Sequence, residues 1–157
     1  MQTNKVKYII DKVRLIHGLD RLTLAETIEK EAAKRNLTAN VLIEINSGKE
    51  ENKGGIFLED TERFLEQISA FSHIKPCGMM AVTPLDATPA EDKRAFDRIY
   101  KVFDSLKNET FRYLSMGMSG NYRIALESGA NIIRPGRVIF GERFYGRATE
   151  TGGDSQT

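Results

Sequence analysis

The chain has 157 residues, 40% of them hydrophobic and 29% charged, with a formal net charge of +1. That balance describes one ordinary globular domain and lacks the basic stripe that a nucleic-acid binder carries. The single cysteine, Cys77, excludes an internal disulfide framework, the start MQTNKVKYIIDK has no signal-peptide core, and no apolar run is long enough to span a bilayer. The expected compartment is the cytoplasm.

In chain order, a short basic helix is expected around Asn4 to Lys12, followed by a strand in VRLIHGL. Leu24, Ile28 and Ala32 then repeat every four residues behind Asp20 as a candidate N-cap, with a stop at Asn36. NVLIEINS (Asn40 to Ser47) is the second strand, and the loop GKEENKGGI leads to a helix with Phe64, Leu65, Ile68 and Phe71 on one face. IKPCGMMAV is the third strand, with Cys77 as a small core residue. TPAE is the clearest helix start: Thr88 caps, Pro89 enters the first turn and Glu91 closes a capping box. Ala95, Phe96, Ile99, Val102, Phe103 and Leu106 form the stripe behind it. FRYLSMGM is the fourth strand, NYRIALESG its helix with Gly129 as C-cap, and NIIR the fifth strand. From Ala148 onward the chain is small and polar and reads as a frayed tail.

Strands separated by helices of this length predict βαβ units and a parallel sheet. A complete eightfold β/α barrel takes about 250 residues, or roughly 31 per unit, so this chain corresponds to about five units. The expected fold class is α/β: a small open parallel sheet, or part of a larger barrel.

The last two strands concentrate the candidate chemistry. Met118 is followed by SGN and a helix, and Arg134 by PGRVIFGERFYG. Ser119 and Gly120 let backbone approach an anion closely, Gly136 does the same opposite them, and Arg137 adds positive charge. Local pattern alone favours a plainer alternative, in which Ser119 caps its helix and Pro135-Gly136 is a turn.

LSMGMS, followed about fifteen residues later by IIRPGRVIFGERFYG, resembles the C-terminal signature of the pyridoxal phosphate homeostasis protein family (the YggS type), single-domain relatives of the alanine racemase barrel. QTNKVKYIIDKV, IHGLD, NVLIEINSGKEENKGGI and CGMMAV match further phrases of that family in the same order. The resemblance implies a partial TIM-type barrel over residues 1–146, with 147–157 as a disordered tail. It also implies a pyridoxal 5′-phosphate site. Ser119 and the backbone at Met118 would hold the phosphate from one loop, and Gly136 and the main chain of Arg137 from the next. Arg134 would face the pyridine nitrogen, where a permanently protonated guanidinium weakens the ring as an electron sink and suits cofactor handling better than catalysis. The competing role for Arg134 is an ion pair with Glu127 or Glu142.

Three departures fall inside this site: Pro135 replaces a branched apolar residue, Arg137 a threonine or serine, and Gly120 a polar or acidic residue. A fourth concerns the lysine that bears the cofactor in the family, which lies upstream of QTNK. Lys49, Lys53, Lys75, Lys93 and Lys101 are expected to be solvated surface charges instead. Cofactor binding is therefore expected to be noncovalent at best. Met1 stands where relatives have leucine, so the expectation is a truncated or internally started frame, marginally stable alone and prone to self-association through exposed barrel edges. Two other functions remain open on the residues: an enzyme using His17, Cys77 or Tyr113 as acid or base, and a fragment that binds nothing.

Overall fold

Helical and strand periodicities alternate along the chain, and the computed structural model, which describes residues 1–48 and 54–141, turns them into five β/α repeats. A 3-10 turn at Thr3–Lys5 leads into α1 (Val6–Ile9) and then β1 (Ile16–Leu19), α2 (Leu22–Lys34) and β2 (Ala39–Asn46). After α3 (Thr61–Ile68) come β3 (Ile74–Val82), α4 (Pro89–Leu106), β4 (Tyr113–Met118), α5 (Tyr122–Glu127), β5 (Ile132–Arg134) and α6 (Gly136–Phe140). All neighbouring strands are parallel, in the order β1-β2-β3-β4-β5, which leaves β1 and β5 as open edges among the described residues. The expected tail at 147–157, the last residues of the expected domain at 142–146, and Lys49 and Lys53 lie outside the described residues.

The two faces of the sheet differ in chemistry. Val41, Ile43 and Ile45 of β2 join Met79, Leu114 and Met116 in the main core, packed with Leu24 and Ile28 of α2 and Phe96 and Ile99 of α4. Burying side chains of this size contributes about 1.5–3 kcal/mol each. The alternate positions make a smaller cluster of Leu42, Cys77 and Met80 on the opposite face, with Leu15 and Tyr113 against it. Cys77 is a buried free thiol in that cluster, as its sequence setting predicts.

This second face is concave. Parallel strands lie about 4.8 Å apart, so a flat sheet would put β1 and β4, three places apart, about 14 Å from each other. Instead the His17 Nδ1 of β1 lies 3.2 Å from the Ser115 Oγ of β4. The sheet curls like a sector of a barrel, and its polar inner side chains meet across the concavity.

Local signals account for most boundaries. Thr88 accepts the Glu91 N–H and Glu91 accepts the Thr88 N–H, completing the capping box, and Asn36 ends α2 at a φ of 50°. The cap expected at Asp20 does not form: α2 begins at Leu22 with Arg21 in the cap position and no side-chain cap. The Asp20 carboxylate accepts from Arg21 Nη1 at 2.5 Å instead, while Arg21 Nη2 reaches Met1 O and Thr3 Oγ1. An ionic partner at the next residue outcompetes the helix N–H groups.

Gly78 allows β3 and β4 to pair where they do. Its φ is +149°, and a Cβ there would stand 1.8 Å from the Tyr113 carbonyl oxygen. Gly120, in contrast, has nothing within 4 Å of the position a Cβ would take. Gly78→Ala is expected to destabilise the fold by about 3 kcal/mol or more, and Gly120→Ala to stay within about 0.5 kcal/mol of the parent. Urea unfolding of the two variants separates them; equal midpoints would remove the steric role of Gly78.

Candidate functional site

The C-terminal ends of β2, β3 and β4 and the turns that follow them enclose a cavity of about 530 Å³. Its polar lining includes Glu44, Asn46, Thr83, Asp92, Asn121 and Arg137. Met118 and Gly120 border it as well, so the corner SMGMSGNY forms part of its rim. Gly117 shapes that corner at a φ of +89°, where a Cβ would meet Ala125 Cβ at 2.7 Å and Tyr122 Cα at 2.8 Å. Only glycine lets α5 start so close to the strand.

Ser119 and Arg137 are brought together. The Arg137 N–H donates to Ser119 Oγ at 2.8 Å, joining the loop after β4 to the first turn after β5. Ser119 uses a lone pair in that bond, which leaves its hydroxyl proton to donate elsewhere. Gly136 and Gly120 both face open space, with no atom within 4 Å of a Cβ. The backbone at Met118 is engaged internally: its N–H donates to Asn121 Oδ1 at 2.9 Å and its carbonyl accepts the Asn121 N–H at 3.1 Å. The expected Met118 contact is thus committed to bracing the turn.

Asn121 has a site role that its local sequence only partly signals. Besides gripping Met118, it donates from Nδ2 to Thr83 Oγ1 at 3.0 Å, which ties the β4 corner to the end of β3. The signal was present in SGNY, since asparagine two residues beyond a small polar turn commonly bonds backbone locally.

Arg134 points into the concavity. Its Nη1 donates to Ser115 Oγ and its Nη2 to the Ala81 carbonyl at 3.0 Å. The competing pair with Glu127 is not made among the described residues, and Glu142 lies outside them. Burial pulls Arg134 below its ordinary pKa, and the nearby Glu44 carboxylate opposes that shift. Glu44 is itself pushed above 4.5, first by burial and then by Asp20, with Arg134 pulling the other way.

His17 completes this group. Burial first, and the Arg134 charge second, hold it below its ordinary value of 6.5, so the ring is neutral near pH 7. A neutral ring accepting at Nδ1 lets Ser115 donate to His17 while accepting from Arg134, a consistent assignment of every proton in the chain of bonds. Ser115 is 0% exposed. His17 is half-buried, and the Ser115–His17 pair acts as a brace for the guanidinium. Tyr113 and Cys77 sit in the apolar cluster below and share no hydrogen bond with His17.

A phosphate and a nitrogen heterocycle match different parts of this constellation. The open, glycine-flanked strip between Ser119 and Arg137 fits an anion, and the Arg134 fork, with donors beyond the two bonds it makes, fits a ring acceptor.

Comparison with known proteins identifies the family. Residues 1–144 match the family model for the alanine racemase N-terminal domain. The pyridoxal phosphate homeostasis protein of Aquifex aeolicus is 42% identical over 148 residues, covering 92% of this chain and 65% of that protein. The protein of the same name from Synechocystis is 30% identical, with 91% and 67% covered. The chain thus spans about two thirds of the length of these relatives. PipY of Synechococcus elongatus, in its structure with pyridoxal phosphate bound, superposes with a TM-score of 0.77 at 27% identity, covering 90% of this chain and 67% of PipY. These matches also show the fold to be part of a barrel, as the curl of the sheet indicates. The chain belongs to the alanine racemase N-terminal domain family and, within it, to the pyridoxal phosphate homeostasis proteins.

Proposed function

We propose that this chain binds pyridoxal 5′-phosphate noncovalently at the C-terminal ends of its strands and serves in handling the cofactor, with little or no catalysis. The observation that carries this reading is the Ser119–Arg137 bond at 2.8 Å, which joins the loops after β4 and β5 next to Gly120 and Arg137 of the cavity lining. The names of the relatives and the bound ligand of PipY support the choice of cofactor. Ser119 would donate its hydroxyl to the phosphate, and the anion would compete with Ser119 for the Arg137 N–H. The Arg137 side chain, exposed at the rim, would add a cationic grip in place of the hydroxyl usual in the family.

Bound pyridoxal phosphate supplies an aldehyde and an electron-withdrawing ring. Arg134 would stand at the ring nitrogen and, staying protonated, keep that nitrogen free of a proton. Ser115, backed by His17, fixes the guanidinium, and the Ala81 carbonyl fixes its other arm. Among the described residues no lysine lines the cavity, which is why the binding is proposed to be noncovalent.

Titration with pyridoxal phosphate is expected to shift the cofactor's absorbance reversibly. Borohydride should leave no cofactor on the protein after dialysis, and a stably labelled lysine peptide would sink the noncovalent reading. Ser119→Ala, which removes one donor to an anion, should weaken binding about tenfold, and Gly136→Asp, which sets a like charge beside the phosphate, by more.

The bracing role of His17 has a pH signature. Because its folded pKa lies below the unfolded 6.5, the unfolded chain binds the extra proton first and stability falls as pH drops below about 6.5. Glu44, raised above 4.5 in the fold, has the opposite slope and loses stability as pH rises through its window. Subtracting the urea midpoints of His17→Gln from those of the parent between pH 5 and 7 should give a difference that shrinks on acidification. A flat difference would show that His17 is not held neutral.

We also propose that copies of this chain self-associate. The edges at β1 and β5 are open among the described residues, and Val138, Ile139 and Phe140 of α6 are 60%, 65% and 86% exposed. Sedimentation should show mass rising with concentration, and Ile139→Asp with Phe140→Asp should return the protein to a monomer; a parent monomeric at every concentration would refute it.

A further inference from the structure

The stripe of α4 contains a residue of the wrong chemistry. Positions 92, 96, 99 and 103 share one helix face; Phe96, Ile99 and Phe103 fill the core, and the first is Asp92. Asp92 is only 6% exposed, and its Oδ1 has no hydrogen-bond partner. The basic side chains of α4 are engaged elsewhere: Lys93 Nζ lies 2.6 Å from Asp97, Arg94 Nε donates to the Ala90 carbonyl at 3.2 Å, and Arg98 Nη2 lies 3.7 Å from Glu59; among the described residues Arg137, across the same cavity, makes no ion pair with Asp92. The first turn of α4, which could otherwise feed a carboxylate, is closed by the Thr88 and Glu91 box. A buried carboxylate oxygen left unpaired costs stability, and Oδ1 has no partner inside the fold to offset that cost.

Asp92 is also part of the wall of the 530 Å³ cavity, beside Phe96, Val82 and Leu85, and the same cavity reaches Gly120 and Arg137. An acceptor-only group in a largely apolar wall selects a compact donor cation with a short alkyl stem. A metal ion is a poorer match, because no group of three ligating side chains occurs among the described residues. We propose that Asp92 is the recognition point for a primary ammonium group, carried either by a phosphate-bearing ligand or by a separate small amine in the same cavity. The ligand-borne case rests on the phosphate reading above, and the separate-amine case does not.

Calorimetric titration of the full chain with pyridoxamine 5′-phosphate and with pyridoxine 5′-phosphate isolates the group, since the two share ring and phosphate and differ in an amine for a hydroxyl. The parent should prefer the amine about tenfold, a typical worth for one charge-assisted hydrogen bond. Asp92→Asn should erase that preference, leave pyridoxine phosphate affinity unchanged, and hold or raise the melting temperature. Propylamine with inorganic phosphate is the third arm: its binding to the parent but not to Asp92→Asn assigns the amine to a separate molecule. If neither phosphorylated ligand binds while propylamine still distinguishes the two proteins, the phosphate reading fails and the Asp92 site stands. An amine preference absent from the parent in every arm, or kept in Asp92→Asn, overturns the proposal.

Discussion

The bond chain from His17 through Ser115 to Arg134 is the constraint around which the functional end of this protein is arranged. It links the first strand of the sheet to the fourth and fifth across the concave face, a contact open only to a sheet that curls. Gly78 gives β3 its close backbone approach to Tyr113 of β4, and Gly117 lets α5 begin tight against the end of β4.

The bridge also resolves an electrostatic problem. A guanidinium on the inner face of a sheet loses water, and burial lowers its pKa. Ser115 and the Ala81 carbonyl replace part of that water, and Glu44 returns some of the field from a distance. His17 accommodates the same charge by staying neutral, so the site carries one fixed cation and not two. The arrangement presents donors toward the open end of the strands and spends no proton that titrates near pH 7 on holding them.

Much of this was legible in the sequence, and the failures have identifiable causes. The strand Ile74–Val82 and the Thr88 box follow from local rules, apolar run and capping chemistry, that need no tertiary partner. Asp20 failed as a cap because Arg21, fixed by Met1 and Thr3 from another segment, claims its carboxylate, which no local rule anticipates. Ser119, Gly136 and Arg137 were picked out one by one from turn chemistry and family resemblance; their meeting depends on strand pairing between β4 and β5. Asn121 was passed over because its second partner, Thr83, lies 38 positions away. Asp92 was visible as a charge in register with Phe96, Ile99 and Phe103, but helix periodicity does not tell a carboxylate at the end of a stripe from one in a cavity wall.

That last distinction bears on how stability and binding divide the molecule. The helix-facing layer is mostly satisfied: its large side chains are buried in one continuous cluster and the N-terminal box of α4 is closed, with the buried Ser128 Oγ at the end of α5 the exception. Other unmet polarity lies near the strand ends, in the Ser119 hydroxyl proton and the open strips at Gly120 and Gly136, and in Asp92 Oδ1 on α4. Buried polar groups in native proteins are ordinarily paired, so the unpartnered carboxylate of Asp92, a residue of the cavity wall, is the exception to be explained there. Arg137 stands on the β5 side of the lining and the Asp92 and Glu44 carboxylates on the α4 and β2 sides, so the proposed ligand is one that carries both an anion and a cation.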